Sequence, residues 1–146
     1  MTDAIGPALA PNVAGDGPWA QARAAAEAHA PYLARLIARR PDLAERIAEV
    51  DAPTLLIESA MADAARVAAE APPLEEGMVT LRRAKDAVHL GLALADLARA
   101  WPLEAITGGL TRFADASVRA AVAASLKTAS ALSVTAHLLK PKKMMN

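Results

Sequence analysis

The sequence predicts an all-α fold of about five helices, arranged in an irregular bundle with short joints marked by proline. Three observations predict it. Of the 146 residues, 39 are alanine and 18 are leucine, both strong helix formers. Apolar residues recur at intervals of three and four through most of the chain, which is the period of an amphipathic helix. No stretch alternates β-branched or aromatic residues with polar ones, as a half-buried strand would.

The first half of the chain divides at its prolines. Residues 1–17 contain glycine, proline and asparagine without periodicity, and we expect a flexible lead-in there. The Asp-Gly-Pro at 16–18 is typical of a helix start, and the alanine-rich stretch that follows predicts a helix ending near Pro31. From residue 33 to 50 the apolar spacing is helical, but Pro41 interrupts it. This predicts two short helices or one kinked helix.

Three longer helices are predicted for the second half. Asp51 and Pro53 suit the cap and first turn of a helix that the prolines at 72–73 end. The next helix covers 74–100, and its predicted core positions are Leu90, Leu94, Leu97 and Trp101. The last helix begins after Pro102, and its predicted core positions are Leu103, Ile106, Leu110, Phe113, Val118 and Val122.

The formal net charge is zero, but it is the sum of two unlike segments. Up to Leu126 there are 12 basic and 16 acidic residues, whereas residues 127–146 contain four lysines and no acid. We therefore divide the chain into the lead-in, a helical segment at 18–126 and a basic tail at 127–146, which either continues the last helix or is of separate origin. The chain has no cysteine, which excludes a disulfide scaffold and a thiolate site.

No residue pattern in the sequence predicts a catalytic, cofactor-binding or metal-ligating side chain. None of the three histidines lies three to five residues from another, and no nucleophile elbow, phosphate-binding glycine loop or Asp-x-Asp pair occurs. His89 with Asp86 is either a tuned acid–base pair or, as we favour, part of a solvated polar face. The basic residues at 82–85 either contact phosphate or, as we favour, form a surface ridge.

Composition also restricts the partners and the compartment. A chain without net charge has no overall positive potential to attract nucleic acid. Its aromatic residues are too scattered to form a surface on which bases could stack. No uncharged apolar run reaches the length of a spanning helix, and the start lacks the positive region of a signal peptide. We expect a cytoplasmic protein that binds neither nucleic acid nor a membrane.

Two stretches of this chain resemble a known family. They are PYLARLIARRPDL at 31–43 and LRRAKDAVHLGLALADLARAWPLEAITGGLTRFADASVRAAV at 81–122. Both are similar, in the same order, to the beginning of the bacterial glutamine synthetase adenylyltransferases. The resemblance implies a helical lead-in to the first nucleotidyltransferase domain of an enzyme that attaches AMP to a tyrosine of glutamine synthetase and removes it, using ATP and magnesium.

The resemblance also indicates what is missing. In that family a glycine-serine turn followed by Asp-x-Asp comes shortly after the position equivalent to Val122, and this chain contains neither. We therefore expect a segment that is inactive alone and holds no cofactor, with the absent nucleotidyltransferase core and glutamine synthetase as partners. A self-sufficient helical interaction module without enzymatic activity is the alternative.

The tail after Leu126 resembles nothing in the family. Together with the change from arginine to lysine, this favours a truncated or frameshifted gene fragment that departs from the family near residues 124–127. A genuine, divergent helical tail is the alternative.

Overall fold

The computed structural model describes residues 17–140, and these residues form six α-helices and no strand. The all-α prediction is confirmed. The number exceeds the predicted five by one because Pro41 separates two short helices instead of kinking one. The helices are α1 (Ala20–His29), α2 (Pro31–Arg39), α3 (Pro41–Arg46), α4 (Ala52–Glu70), α5 (Leu74–Leu97) and α6 (Leu103–Leu138).

Prolines lie at or immediately before the starts of the helices at the joints that the sequence predicted. Pro31 and Pro41 are the first residues of α2 and α3, and Pro53 lies in the first turn of α4. Pro73 and Pro102 immediately precede α5 and α6. Proline suits these positions because its fixed φ matches a helix start and the first backbone N–H groups of a helix have no internal partner.

Helices α4, α5 and α6 pack together as the centre of the molecule, and α1, α2 and α3 pack against their outside. Neighbours α4 and α5 are antiparallel, as are α5 and α6. The core consists mainly of alanine, leucine and isoleucine, and no polar or charged residue of the described chain is buried. Its largest completely buried side chains are Leu36, Leu56, Leu90, Leu94, Val67, Val88 and Pro53.

Two glycines allow the central helices to approach closely. A Cβ on Gly91 would lie 3.0 Å from the carbonyl oxygen of Pro53, so α5 contacts the backbone of α4 at this point. A Cβ on Gly109 would lie 2.9 Å from Cδ2 of Leu92, which fits α6 against α5. Gly108 and Gly109 both lie inside α6, and Gly109 is a packing position there.

The start of α1 is fixed to the α3–α4 joint. The helix begins at Ala20, not directly at Pro18. Gly17 has a φ of +123° and lies against the backbone of Ala48, while Nε1 of the buried Trp19 donates a 3.0 Å hydrogen bond to the Val50 carbonyl. Residues 1–16 of the predicted lead-in lie outside the described residues.

The predicted core face of α6 is wrong in part. Ile106 and Phe113 are buried, but the other four predicted positions, Leu103, Leu110, Val118 and Val122, are exposed. The remaining buried positions of α6 are Gly109, Ala120 and Ala124. Small residues occupy this face because close helix contacts leave no room for leucine, so apolar spacing alone selected the wrong face.

The last helix continues without a break through the boundary drawn at Leu126 and ends at Leu138. From residue 129 to 140 every side chain is exposed, so this end projects past α4 and α5.

In α5, Leu90 and Leu94 are buried as predicted, whereas Leu97 is exposed. Trp101, which follows α5, is half-buried. None of the helices in the described range has the length and apolarity needed to cross a membrane.

Candidate functional site

A polar cleft of about 400 Å³ lies between α3, α4 and α5. Four arginines line it, with two aspartates and two hydroxyl side chains. The charged and hydroxyl residues of this cleft are Arg40, Arg46, Arg66, Arg83, Asp42, Asp63, Ser59 and Thr80. Helical spacing brings them together, since Ser59, Asp63 and Arg66 lie on one side of α4.

Arg40, at the joint between α2 and α3, is the central residue of the cleft. Its Nε and Nη2 donate to the two carboxylate oxygens of Asp42 at 2.9 and 2.7 Å, and its Nη1 donates to Asp86 at 3.3 Å. The guanidinium holds the pKa of Asp42 below its ordinary value, and hydrogen bonding to Asp42 raises the pKa of Arg40. The side chain is 15% exposed, so it links α2 and α3 to α5 as a structural clamp.

Two further arginines of the cleft, Arg46 and Arg66, also pair with nearby acids. Arg66 lies 3.3 Å from Asp63 and 3.8 Å from Glu70, and Arg46 lies 3.6 Å from Glu49. Within residues 17–140, no three acidic or histidine side chains lie close enough together to hold a metal ion. The chemistry of this donor set is therefore that of arginine–carboxylate pairs, which does not fit a magnesium site.

His89 makes its side-chain hydrogen bond with Tyr32 instead of Asp86. The Tyr32 hydroxyl and His89 Nδ1 are 3.2 Å apart, and the two rings meet edge to face. Burial lowers the pKa of His89, the charge of Lys85 lowers it further, and Asp86 acts in the opposite direction. The acid–base pair considered from the sequence is thus replaced by a contact between α2 and α5 that spacing along one helix does not reveal.

A second cleft, of about 290 Å³, lies between α4 and the beginning of α6. Its lining is mainly apolar and also includes the charged residues Glu58 and Arg112. Trp101, predicted as a core residue, forms one wall of this cleft and is only half-buried. The basic residues Arg82, Arg83 and Lys85 are exposed, as a surface ridge would be.

Comparison with known proteins identifies the family. The family profile described as Glutamate-ammonia ligase adenylyltransferase matches residues 20–144. The chain belongs to this family. The matched region of the adenylyltransferase family includes the stretch after Leu126, which the sequence alone led us to regard as unrelated.

Three relatives share the name bifunctional glutamine synthetase adenylyltransferase/adenylyl-removing enzyme. The chain is 41% identical over 100 residues to the protein of Caulobacter vibrioides, which covers 68% of this chain and 10% of the relative. It is 36% identical over 120 residues to that of Rhizobium meliloti, covering 78% and 12%, and 38% identical over 112 residues to that of Xanthobacter autotrophicus, covering 77% and 11%. The chain thus spans about a tenth of these adenylyltransferases, and no solved structure matches it.

Proposed function

We propose that this chain serves as the non-catalytic helical N-terminal segment of a glutamine synthetase adenylyltransferase. The family match over residues 20–144 carries the proposal. The bundle supports it, because arginines hold both aspartates that line the polar cleft between α3, α4 and α5. Such pairs stabilise a scaffold, whereas transfer of a nucleotidyl group needs carboxylates that can hold a metal ion.

The proposal assigns the nucleotide chemistry to another part of the enzyme. ATP and magnesium would bind to a nucleotidyltransferase core, and the helical segment would pack against that core and help to form the surface that meets glutamine synthetase. Arg40 contributes to this role by holding α2, α3 and α5 in a fixed arrangement through Asp42 and Asp86.

A reconstitution experiment tests this proposal. The Caulobacter relative is prepared without the region that this chain matches, and transfer of labelled AMP from ATP to glutamine synthetase is measured with and without the chain. We expect no transfer by the chain alone, and a gain of at least severalfold when the chain is added to the shortened relative. Transfer by the chain alone would contradict the non-catalytic role, and no gain together with no binding would contradict the scaffold role.

A folding-deficient variant provides the control. Leu56 is completely buried, so Leu56→Asp places an unpaired charge in the core and unfolds the bundle. This variant should produce no gain. Glu58→Gln, on the exposed side of the same helix, should perform as the unaltered chain does.

A further inference from the structure

One exposed side of α6 is uncharged along the length of the helix. We define the α6 outer face as the positions that repeat at intervals of four, three and four residues. They are Leu103, Thr107, Leu110, Ala114, Val118, Ala121, Ser125, Ala129, Leu132 and Ala136. All except the half-buried Ala121 are exposed. An 11-residue repeat of this kind keeps its positions on one side of a nearly straight helix, so the α6 outer face is continuous.

The threonine hydroxyl groups on and beside this face are already used within the helix. Thr107 donates to the Leu103 carbonyl at 3.0 Å, and Thr111 donates to the Thr107 carbonyl at the same distance. Thr128 and Thr135 make the equivalent bonds to the carbonyls four residues earlier. These threonines therefore offer a partner little hydrogen-bonding capacity, and the face is less polar than its composition suggests.

Nothing within the described chain covers the α6 outer face. The buried residues of α6 that pack on α4 and α5 lie on a different side of the helix, and these contacts end near Lys127, which donates a hydrogen bond to the Glu70 carbonyl. Val118 is 63% exposed and Leu132 is 66% exposed. A contiguous apolar surface of this length is typical of an interaction site.

We propose that two copies of this chain pair through the α6 outer face, with the two helices antiparallel. A helix of 36 residues is about 54 Å long, and a contact about 10 Å wide along it buries about 1,000 Å² over both copies. This area reaches the lower limit for a specific interface. In this arrangement the projecting end of one α6 covers the beginning of the other.

The charges beside the face select the antiparallel direction. Glu104 and Lys140 lie along the same edge of the α6 outer face, one near each end. In an antiparallel pair centred on Ala121, Glu104 of each copy lies beside Lys140 of the other. A parallel pair would leave both Glu104 side chains at one end and both Lys140 side chains at the other, without a partner of opposite charge. The antiparallel pair also opposes the two helix dipoles.

Sedimentation equilibrium across a range of chain concentrations tests the pairing. We expect a monomer–dimer equilibrium that Val118→Lys weakens at least tenfold, because a two-fold interface receives the charge twice. Val50→Lys is the matched control, since Val50 is 75% exposed and lies in the joint between α3 and α4 instead of on α6, and it should leave the equilibrium unchanged. A chain that stays monomeric, or a dimer that Val118→Lys does not weaken, would overturn the proposal and leave the face to another partner.

Cross-linking tests the direction, and the absence of native cysteine makes single-cysteine variants unambiguous. With a short bismaleimide, a mixture of Leu110→Cys and Leu132→Cys chains should form a cross-linked dimer, and neither variant alone should. Cross-linking of each variant with itself would indicate parallel helices and contradict the proposed arrangement.

Discussion

Two glycines lie inside long helices in contrasting surroundings, and replacing each by alanine tests the packing of the core. Alanine favours a helix by about 1 kcal/mol over glycine, whichever position is changed. A Cβ on Gly108 would have no other atom within 4 Å, so Gly108→Ala should stabilise the protein by about 1 kcal/mol. The substitution adds one methyl group and leaves every contact of α6 intact.

Gly91→Ala makes the same chemical change against a fixed neighbour. Its Cβ would lie 3.0 Å from the Pro53 carbonyl oxygen and 3.3 Å from Cβ of Leu56. These atoms belong to α4 and cannot rotate away, and overpacking of this kind costs about 1–3 kcal/mol. After the gain in helix propensity, the variant should range from neutral to about 2 kcal/mol less stable than the unaltered chain.

Urea unfolding followed by circular dichroism at 222 nm measures both variants, at one chain concentration. With a slope of about 1–3 kcal/mol per molar urea, a change of 1 kcal/mol moves the midpoint by about 0.3–1 M. We expect the midpoint to rise for Gly108→Ala and to stay or fall for Gly91→Ala. An equal rise for both variants would show that α5 does not contact the α4 backbone at Gly91, and the reasoning would be refuted.

Three further predictions follow from single residues. The Ser117 hydroxyl is buried without a hydrogen-bond partner, so Ser117→Ala should raise the free energy of unfolding by about 1 kcal/mol, measured by urea titration. Trp19→Phe removes the hydrogen bond to the Val50 carbonyl and should lower the melting temperature, with a loss of about 1 kcal/mol; an unchanged value would contradict the role of this bond. Because the folded state lowers the pKa of His89, the unfolded chain takes up the proton first, and stability should fall as the pH drops below about 6.5. His89→Gln should lose less stability than the unaltered chain between pH 7.5 and 5.5, and equal losses would contradict the shift.

The positions of the helices could be predicted because they depend on local chemistry. Proline at 31, 41, 53, 73 and 102 restricts the backbone wherever it occurs, whatever the surrounding fold. The buried face of α6 could not be predicted, because leucine and valine positions have the same period as the glycine and alanine positions that pack. Only the distance between the helices decides whether the leucine and valine positions or the glycine and alanine positions are buried.

The partners of Asp86 and His89 could not be predicted from the sequence either. The sequence placed Asp86 beside His89 because both lie on one side of α5. Their actual partners, Arg40 and Tyr32, are more than 40 residues away along the chain. Contacts of this kind depend on how α2 lies against α5, and spacing within one helix does not contain that information.

The alanine-rich contact between the central helices also affects how the protein responds to heat. Ala60, Ala64, Ala84, Ala95, Ala120 and Ala124 are buried between these helices. An alanine side chain has no rotamers to lose on folding, so these contacts form with little loss of side-chain entropy. Each also removes little apolar surface from water, and the heat-capacity change of unfolding scales with that surface. The stability of this bundle should therefore vary less steeply with temperature than that of a leucine-filled bundle of equal length.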